Sequence, residues 1–180
     1  MPTALVALDR ERDVLAKLLG HPTNDVLVGT DPRELLVGPL AQWAMSRMPK
    51  LHAALGHNFE FMRRAVAKDV VERTARQNAA IGVLLFVPGA DMPVMTLNQG
   101  KMLLQIAAVY GQPLDAARVG ELAAVVAGGF VFRTLAREAA GVVPGVGWAV
   151  KGGIAYTGTI AMGTAATQYF EEGADLRGVL

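Results

Sequence analysis

The sequence contains no cysteine, which removes disulfides, thiolate metal sites, cysteine nucleophiles and redox switches together. Its one serine, Ser46, stands in no nucleophile-elbow setting, and a serine nucleophile needs a neighbouring base and an orienting acid. Histidine is equally scarce. His21, His52 and His57 are the three present, and the last two are five apart, which misses the i, i+4 spacing of helical metal ligands. Neither a metal nor a cofactor is expected. Aromatic residues make up 6% of the chain, too few for a base-stacking platform. Charge of one sign is lacking too: 17 basic and 16 acidic residues leave a net +1, so nucleic acid is not an expected partner. No Gly-x-x-x-x-Gly-Lys-[Ser/Thr] phosphate loop occurs, and with it goes the backbone cradle that nucleotide hydrolysis requires. The apolar start, Met1 to Ala7, runs directly into Asp9, Arg10, Glu11, Arg12 and Asp13. It lacks the basic lead, long apolar core and cleavage site of a signal peptide.

What is present is grease. Hydrophobic residues are 52%, charged residues 18%, and mean hydropathy is +0.33 (hydropathy, composition), against roughly 25% charge in an ordinary soluble domain. At 180 residues the chain can bury a core without staples. The charge is unevenly placed: 11 basic and 9 acidic residues fall in the first 78 positions, 6 and 7 in the following 102. This shift divides the chain into a charged, amphipathic helical region, 1–76, an apolar helical region, 77–172, and a tail, 173–180.

In the charged region, Asp9 to Leu19 reads as a short amphipathic helix stopped by Gly20 and His21-Pro22. Thr30-Asp31-Pro32 supplies an N-cap and an early proline for a second helix, which Gly38-Pro39 should break or kink and Pro49 should end. A third helix, capped by Asn58 with Glu60 in its first turn, carries Phe59, Met62, Val66 and Val70 at helical spacing. Its other faces hold Arg63, Arg64, Lys68, Arg73 and Arg76, diluted by Asp69 and Glu72. Two readings stay open for these cations: a solvated face, or a lipid-facing basic face next to the apolar run that follows.

From Ala79 to Ala90 the chain has twelve uncharged residues, too few for the roughly 20 that a membrane-crossing helix needs. Asp91-Met92-Pro93 interrupts it. Asn98 is read as the cap of an apolar helix, Gln99 to Tyr110, closed by Gly111 and Pro113. Asp115 then opens a helix through Glu121 and Val126 toward Arg137. The following 30 residues, Ala139 to Gln168, hold one charge, Lys151. Small residues recur there in two four-residue rows. One runs through Gly141, Gly145, Ala149, Gly153, Thr157, Ala161 and Ala165; the other through Ala155, Thr159, Gly163 and Thr167. On a helix each row is a ridge that lets another backbone approach closely, as in small-xxx-small packing. Gly145, Ala149, Gly153, Thr157, Ala161 and Gly163 are the expected helix-packing residues. Pro144 limits the regular helix to about Val146 onward. Asp91 reads as a cap or Asx-turn, or as one half of a buried pair with Lys151 or Arg133. Met92, Met95 and Met102 fill core gaps or line an adaptable groove.

The ordered landmarks Val87-Pro-Gly-Ala-Asp91, Lys101-Met-Leu-Leu-Gln-Ile-Ala-Ala-Val-Tyr-Gly111, Val142-Val-Pro-Gly-Val-Gly-Trp148 and Ala165-Ala-Thr-Gln-Tyr-Phe-Glu171 resemble the domain of unknown function found in YcjF-type inner-membrane proteins and at the C-termini of some Era-like GTPases. The resemblance covers roughly residues 77–172. It implies an all-helical, membrane-associated bacterial module without an established catalytic activity, often accompanying a GTPase domain, which would here be a separate partner. The expectation is therefore an all-α multi-helix bundle, membrane-inserted or membrane-peripheral, located at the cytoplasmic face of a membrane or in it. Its expected partners are itself or another protein, and membrane lipid. A soluble scaffold or oligomerisation module, located in the cytoplasm, and a carrier of lipid or another small apolar ligand are the alternatives.

Overall fold

The computed structural model describes residues 5–8, 26–84, 91–112 and 147–172. The architecture is an all-α multi-helix bundle with one small addition, a pair of four-residue parallel strands, β1 (Leu5–Leu8) and β2 (Val26–Gly29), in register Leu5 to Val26 through Leu8 to Gly29. The helix expected over Asp9 to Leu19 lies outside the described residues, as do the Asp115 helix, Arg133, Pro144 and Gly145. By compactness the chain divides into two units, Met1–Val66 and Ala67–Leu180.

In the first unit, α1 is a helical run over 32–47. Asp31 caps it, its carboxylate accepting from the Arg33 backbone N–H at 2.9 Å, and Pro32 occupies the first turn, where no N–H is missed (cap; physical reason). Gly38-Pro39 does not break the run. Instead Leu36–Leu40 widens into a π-type turn between the α-helical segments Pro32–Leu35 and Ala41–Arg47. A wide turn accommodates a proline that can neither donate nor tolerate the regular i−4 carbonyl. Met48 ends the run, a 3-10 turn follows at Pro49–Leu51, and α2 spans His52–Asn58.

Helix α3, Glu60–Leu84, is 25 residues long, roughly 37 Å at 1.5 Å per residue. Asn58 does not cap it, because its side-chain amide donates to the Ala54 carbonyl at 2.8 Å and so closes α2. Phe59 stands just before α3 and is 49% exposed, whereas Met62, Val66, Val70, Thr74 and Asn78 form one buried row at four-residue spacing.

In the second unit α4 spans Asp91–Val109, longer than expected at its start. Pro93 falls in its first turn, the one helical place where proline costs nothing. Asn98 is thus a helix-interior residue. The C-terminus is as read: Gly111 takes φ 67°, and the Gln112 N–H reaches the Ala107 carbonyl while the Gly111 N–H reaches that of Ala108 (φ; bonds; motif). Helix α5 spans Gly147–Glu171. Among the described residues no helix is long and apolar enough to cross a membrane. Insertion as a spanning helix is therefore not supported for them. The glycines and threonines of α5 dilute its hydropathy, although it carries no charge from Gly152 to Phe170.

The contacts give the helix directions within this unit. Val71 lies against Gly163, Asn78 bonds Thr159, and Ala79 and Val83 lie against Gly152, so α3 and α5 run antiparallel. Gln99 meets Thr159 and Tyr110 meets Glu171, so α4 and α5 run parallel.

Candidate functional site

At the centre of the second unit three helices converge on one hydroxyl. Thr159 is fully buried and donates to the Ala155 carbonyl at 2.7 Å. It accepts from the side-chain amides of Asn78 at 3.1 Å and Gln99 at 3.2 Å. One donor and two acceptor positions are all a hydroxyl offers, so this one is saturated. Asn78 is itself fully buried and Gln99 is 2% exposed. The Asn98 amide closes the network by donating to the Asn78 side-chain carbonyl at 3.0 Å. On two of these helices, Met95, Met102, Leu103 and Ile106 of α4 and Met162 and Ala166 of α5 are buried as well. The cluster is neutral and amide-rich, with no carboxylate or imidazole. Its chemistry is recognition between helices: a buried polar group must find its partner, so only one sliding position of α3, α4 and α5 satisfies all of them.

The two small-residue rows behave differently. Rows offset by two residues lie 200° apart on a helix, so they cannot face the same neighbour. Ala155, Thr159 and Gly163 are the buried row. A Cβ at Gly163 would meet both methyls of Val71, and one at Gly152 would come within 2.7 Å of a Val83 methyl. Gly153, Thr157, Ala161 and Ala165 are exposed, and a Cβ at Gly153 would meet nothing within 4 Å. Within the chain, Gly163 packs as expected, whereas Gly153, Thr157 and Ala161 do not face a neighbouring helix; the seam runs instead through Gly152, Ala155 and Thr159 to Gly163. Gly145 and the side chains of Ala149, Asp91 and Lys151 lie outside the described residues, and with them the proposed Asp91–Lys151 pair.

The cations of α3 are mostly matched by helical neighbours. Arg73 bonds Asp69 at 2.6 Å, while Lys68 and Arg76 approach the two oxygens of Glu72 at 3.8 and 3.7 Å. All are solvent-accessible, so each pair contributes about 0.3–0.5 kcal/mol. Arg64 is exposed; Arg63 is half-buried, and its Nε is a buried nitrogen without a hydrogen-bond partner.

The first unit holds an open groove of about 800 Å³. Leu36, Val37, Phe59 and Phe61 supply its apolar lining; Arg33, Arg64, Glu60 and Asn58 supply the polar rim. Leu36, Val37 and Phe59 are 40%, 54% and 49% exposed. Sequence reading placed Phe59 on the core face and made no use of Leu36 and Val37. The signal available was their i+3 and i+4 spacing from Arg33. Among the described residues no group of three or more His, Asp or Glu side chains is placed to hold a metal ion.

A helical bundle registered by a neutral buried network is the class of protein that this fold defines. The chain belongs to the family described as Domain of unknown function (DUF697), whose pattern matches residues 47–178. The match includes the expected 77–172 and begins further upstream. No curated protein and no solved structure matches the chain.

Proposed function

We propose that the chain is a non-enzymatic, membrane-associated helical module that works by docking another protein, at the cytoplasmic face of a membrane. The observation that carries this is the charge distribution on the outer faces of α4 and α5. Exposed positions from Pro93 to Ala108 on α4 and from Gly153 to Gln168 on α5 include one charged residue, Lys101. They include Val94, Leu97, Leu104 and Tyr156 among the exposed large side chains. Scattered apolar residues on a surface are ordinary, but two helix faces almost without charge are the mark of a contact surface. α3 shows the contrast, with its outward ion pairs. A GTPase domain is the partner class implied by the family resemblance, since this sequence has no phosphate loop of its own.

Fractionation of cells containing the native protein tests the reading. Retention with membranes through plain buffer, followed by release in high salt or detergent, is expected; release by plain buffer alone overturns it. A soluble oligomeric scaffold is the second reading, favoured by the exposed Gly153, Thr157, Ala161 ridge. If that ridge joins copies, Gly153→Leu should reduce oligomer mass without loss of helix content, and an unchanged mass removes this reading.

A further inference from the structure

We infer that the groove between α1 and the start of α3 in the first unit is the bilayer contact of this protein, and that its ligand is an anionic phospholipid surface. The inference rests on the membrane-associated reading above and names the site and the lipid chemistry.

Helical spacing builds the patch. Arg33 precedes Leu36 and Val37 by three and four residues on α1, and Arg64 follows Glu60 and Phe61 by four and three on α3. Each arginine therefore shares a face with the apolar residues beside it. The wide turn at Leu36–Leu40 holds two successive large apolar side chains, Leu36 and Val37, both exposed. Across the groove Phe59 is half exposed and its ring tilts against that of Phe61 at 5.9 Å between centroids. Apolar side chains next to guanidiniums are the arrangement that enters the boundary between acyl chains and headgroups, with the cations at phosphate level. Two arginines against Glu60 give the lining a net positive charge, complementary to an anionic leaflet.

Vesicle sedimentation of the full chain tests the inference, with phosphatidylcholine vesicles compared to vesicles of equal parts phosphatidylcholine and phosphatidylglycerol. The wild type should bind the mixed vesicles and bind phosphatidylcholine at least about tenfold more weakly. Arg33→Gln with Arg64→Gln, and separately Val37→Ser with Phe59→Ser, should each lower partitioning into the mixed vesicles by about tenfold. Phe59→Trp retains a large ring and serves as a reporter. Relative to wild type, its emission should shift to the blue on mixed vesicles. Wild-type binding that neither double variant weakens, or binding indifferent to phosphatidylglycerol, overturns the groove assignment and leaves the membrane reading standing. Failure of the wild type to bind either vesicle overturns both. An oligomer mass that Val37→Ser with Phe59→Ser abolishes, without a vesicle-induced shift of Phe59→Trp, assigns the groove to a second copy and overturns the lipid assignment.

Discussion

Thr159 sits where three helices meet, and its replacement by valine would keep the shape while deleting the three hydrogen bonds of its hydroxyl and leaving only that of Asn98 to Asn78. The Asn78 and Gln99 amides would each lose a partner in an interior that water does not reach. An orphaned buried donor costs about 1–3 kcal/mol and two are left, so Thr159→Val should lower unfolding free energy by about 2–6 kcal/mol in urea titration. Thr159→Ser retains the hydroxyl and should cost about 1 kcal/mol, the value of one buried methyl. A smaller loss for valine than for serine would show that the network adds nothing to stability. Glycine gives the second residue-scale prediction. Gly163→Ala drives a Cβ into the Val71 methyls and should destabilise by about 1–3 kcal/mol through overpacking. Gly153→Ala meets open space and should stabilise by about 1 kcal/mol, the helix-propensity difference. The opposite signs, read as midpoint shifts on chemical denaturation, would distinguish the buried face of α5 from its outer face.

At the scale of elements, the clearest joint is the pair of C-terminal ends of α4 and α5. Tyr110 stacks on Phe170 with 6.0 Å between ring centroids and donates its hydroxyl to Glu171 at 2.9 Å. Tyr110→Phe keeps the stack and loses the bond, so it should cost about 1 kcal/mol. Glu171→Gln combined with Tyr110→Phe should cost less than the sum of the two single losses, because the two side chains share a hydrogen bond that either change alone perturbs. Additive losses on thermal unfolding would show that the two side chains act separately. Helix ends of this kind were readable in the sequence: Gly111 as a left-handed stop, Asp31-Pro32 as a start, the Met62, Val66, Val70 stripe as a buried face. Other features were not. Asn58 and Asn98 have the chemistry of caps, yet one closes the preceding helix and the other lies inside α4, bonded to Asn78. Local propensity does not say which side of an asparagine the helix lies on. The π-type turn escaped for a similar reason, since Gly38-Pro39 signals disruption but not its form. The strands Leu5–Leu8 and Val26–Gly29 are short apolar runs, and periodicity cannot assign runs of four. The row of small residues was legible as a row, but which of two faces it buries depends on partners distant in sequence, as Asn78 is from Thr159, 81 residues away.

Across the whole molecule, the fall in charge after Asn78 looked like a boundary between parts, but α3 runs unbroken through it from Glu60 to Leu84. Lys68, Asp69, Glu72, Arg73 and Arg76 near its middle form outward ion pairs; the uncharged end that follows is not a buried one, since Ala80 and Leu84 are exposed. Compactness divides the chain at Val66, and the family match begins at residue 47, so neither follows the change in composition. What unifies the second unit is a single network, not a charge pattern. Thr159 is bonded to α3 through Asn78 and to α4 through Gln99, while Asn78 is bonded to α4 through Asn98. Each of the three contacts among α3, α4 and α5 therefore carries one bond of the same network, and a loss at Thr159 or Asn78 removes bonds from two of them. Native-state amide exchange should reveal this as cooperativity: buried amides near Val71, Met102 and Met162 should share one opening free energy. Thr159→Val should lower it by the same amount in each helix. If protection fell in α5 alone while the amides of α3 and α4 kept theirs, the helices would open independently, and the buried network would be three local bonds instead of the device that sets their register.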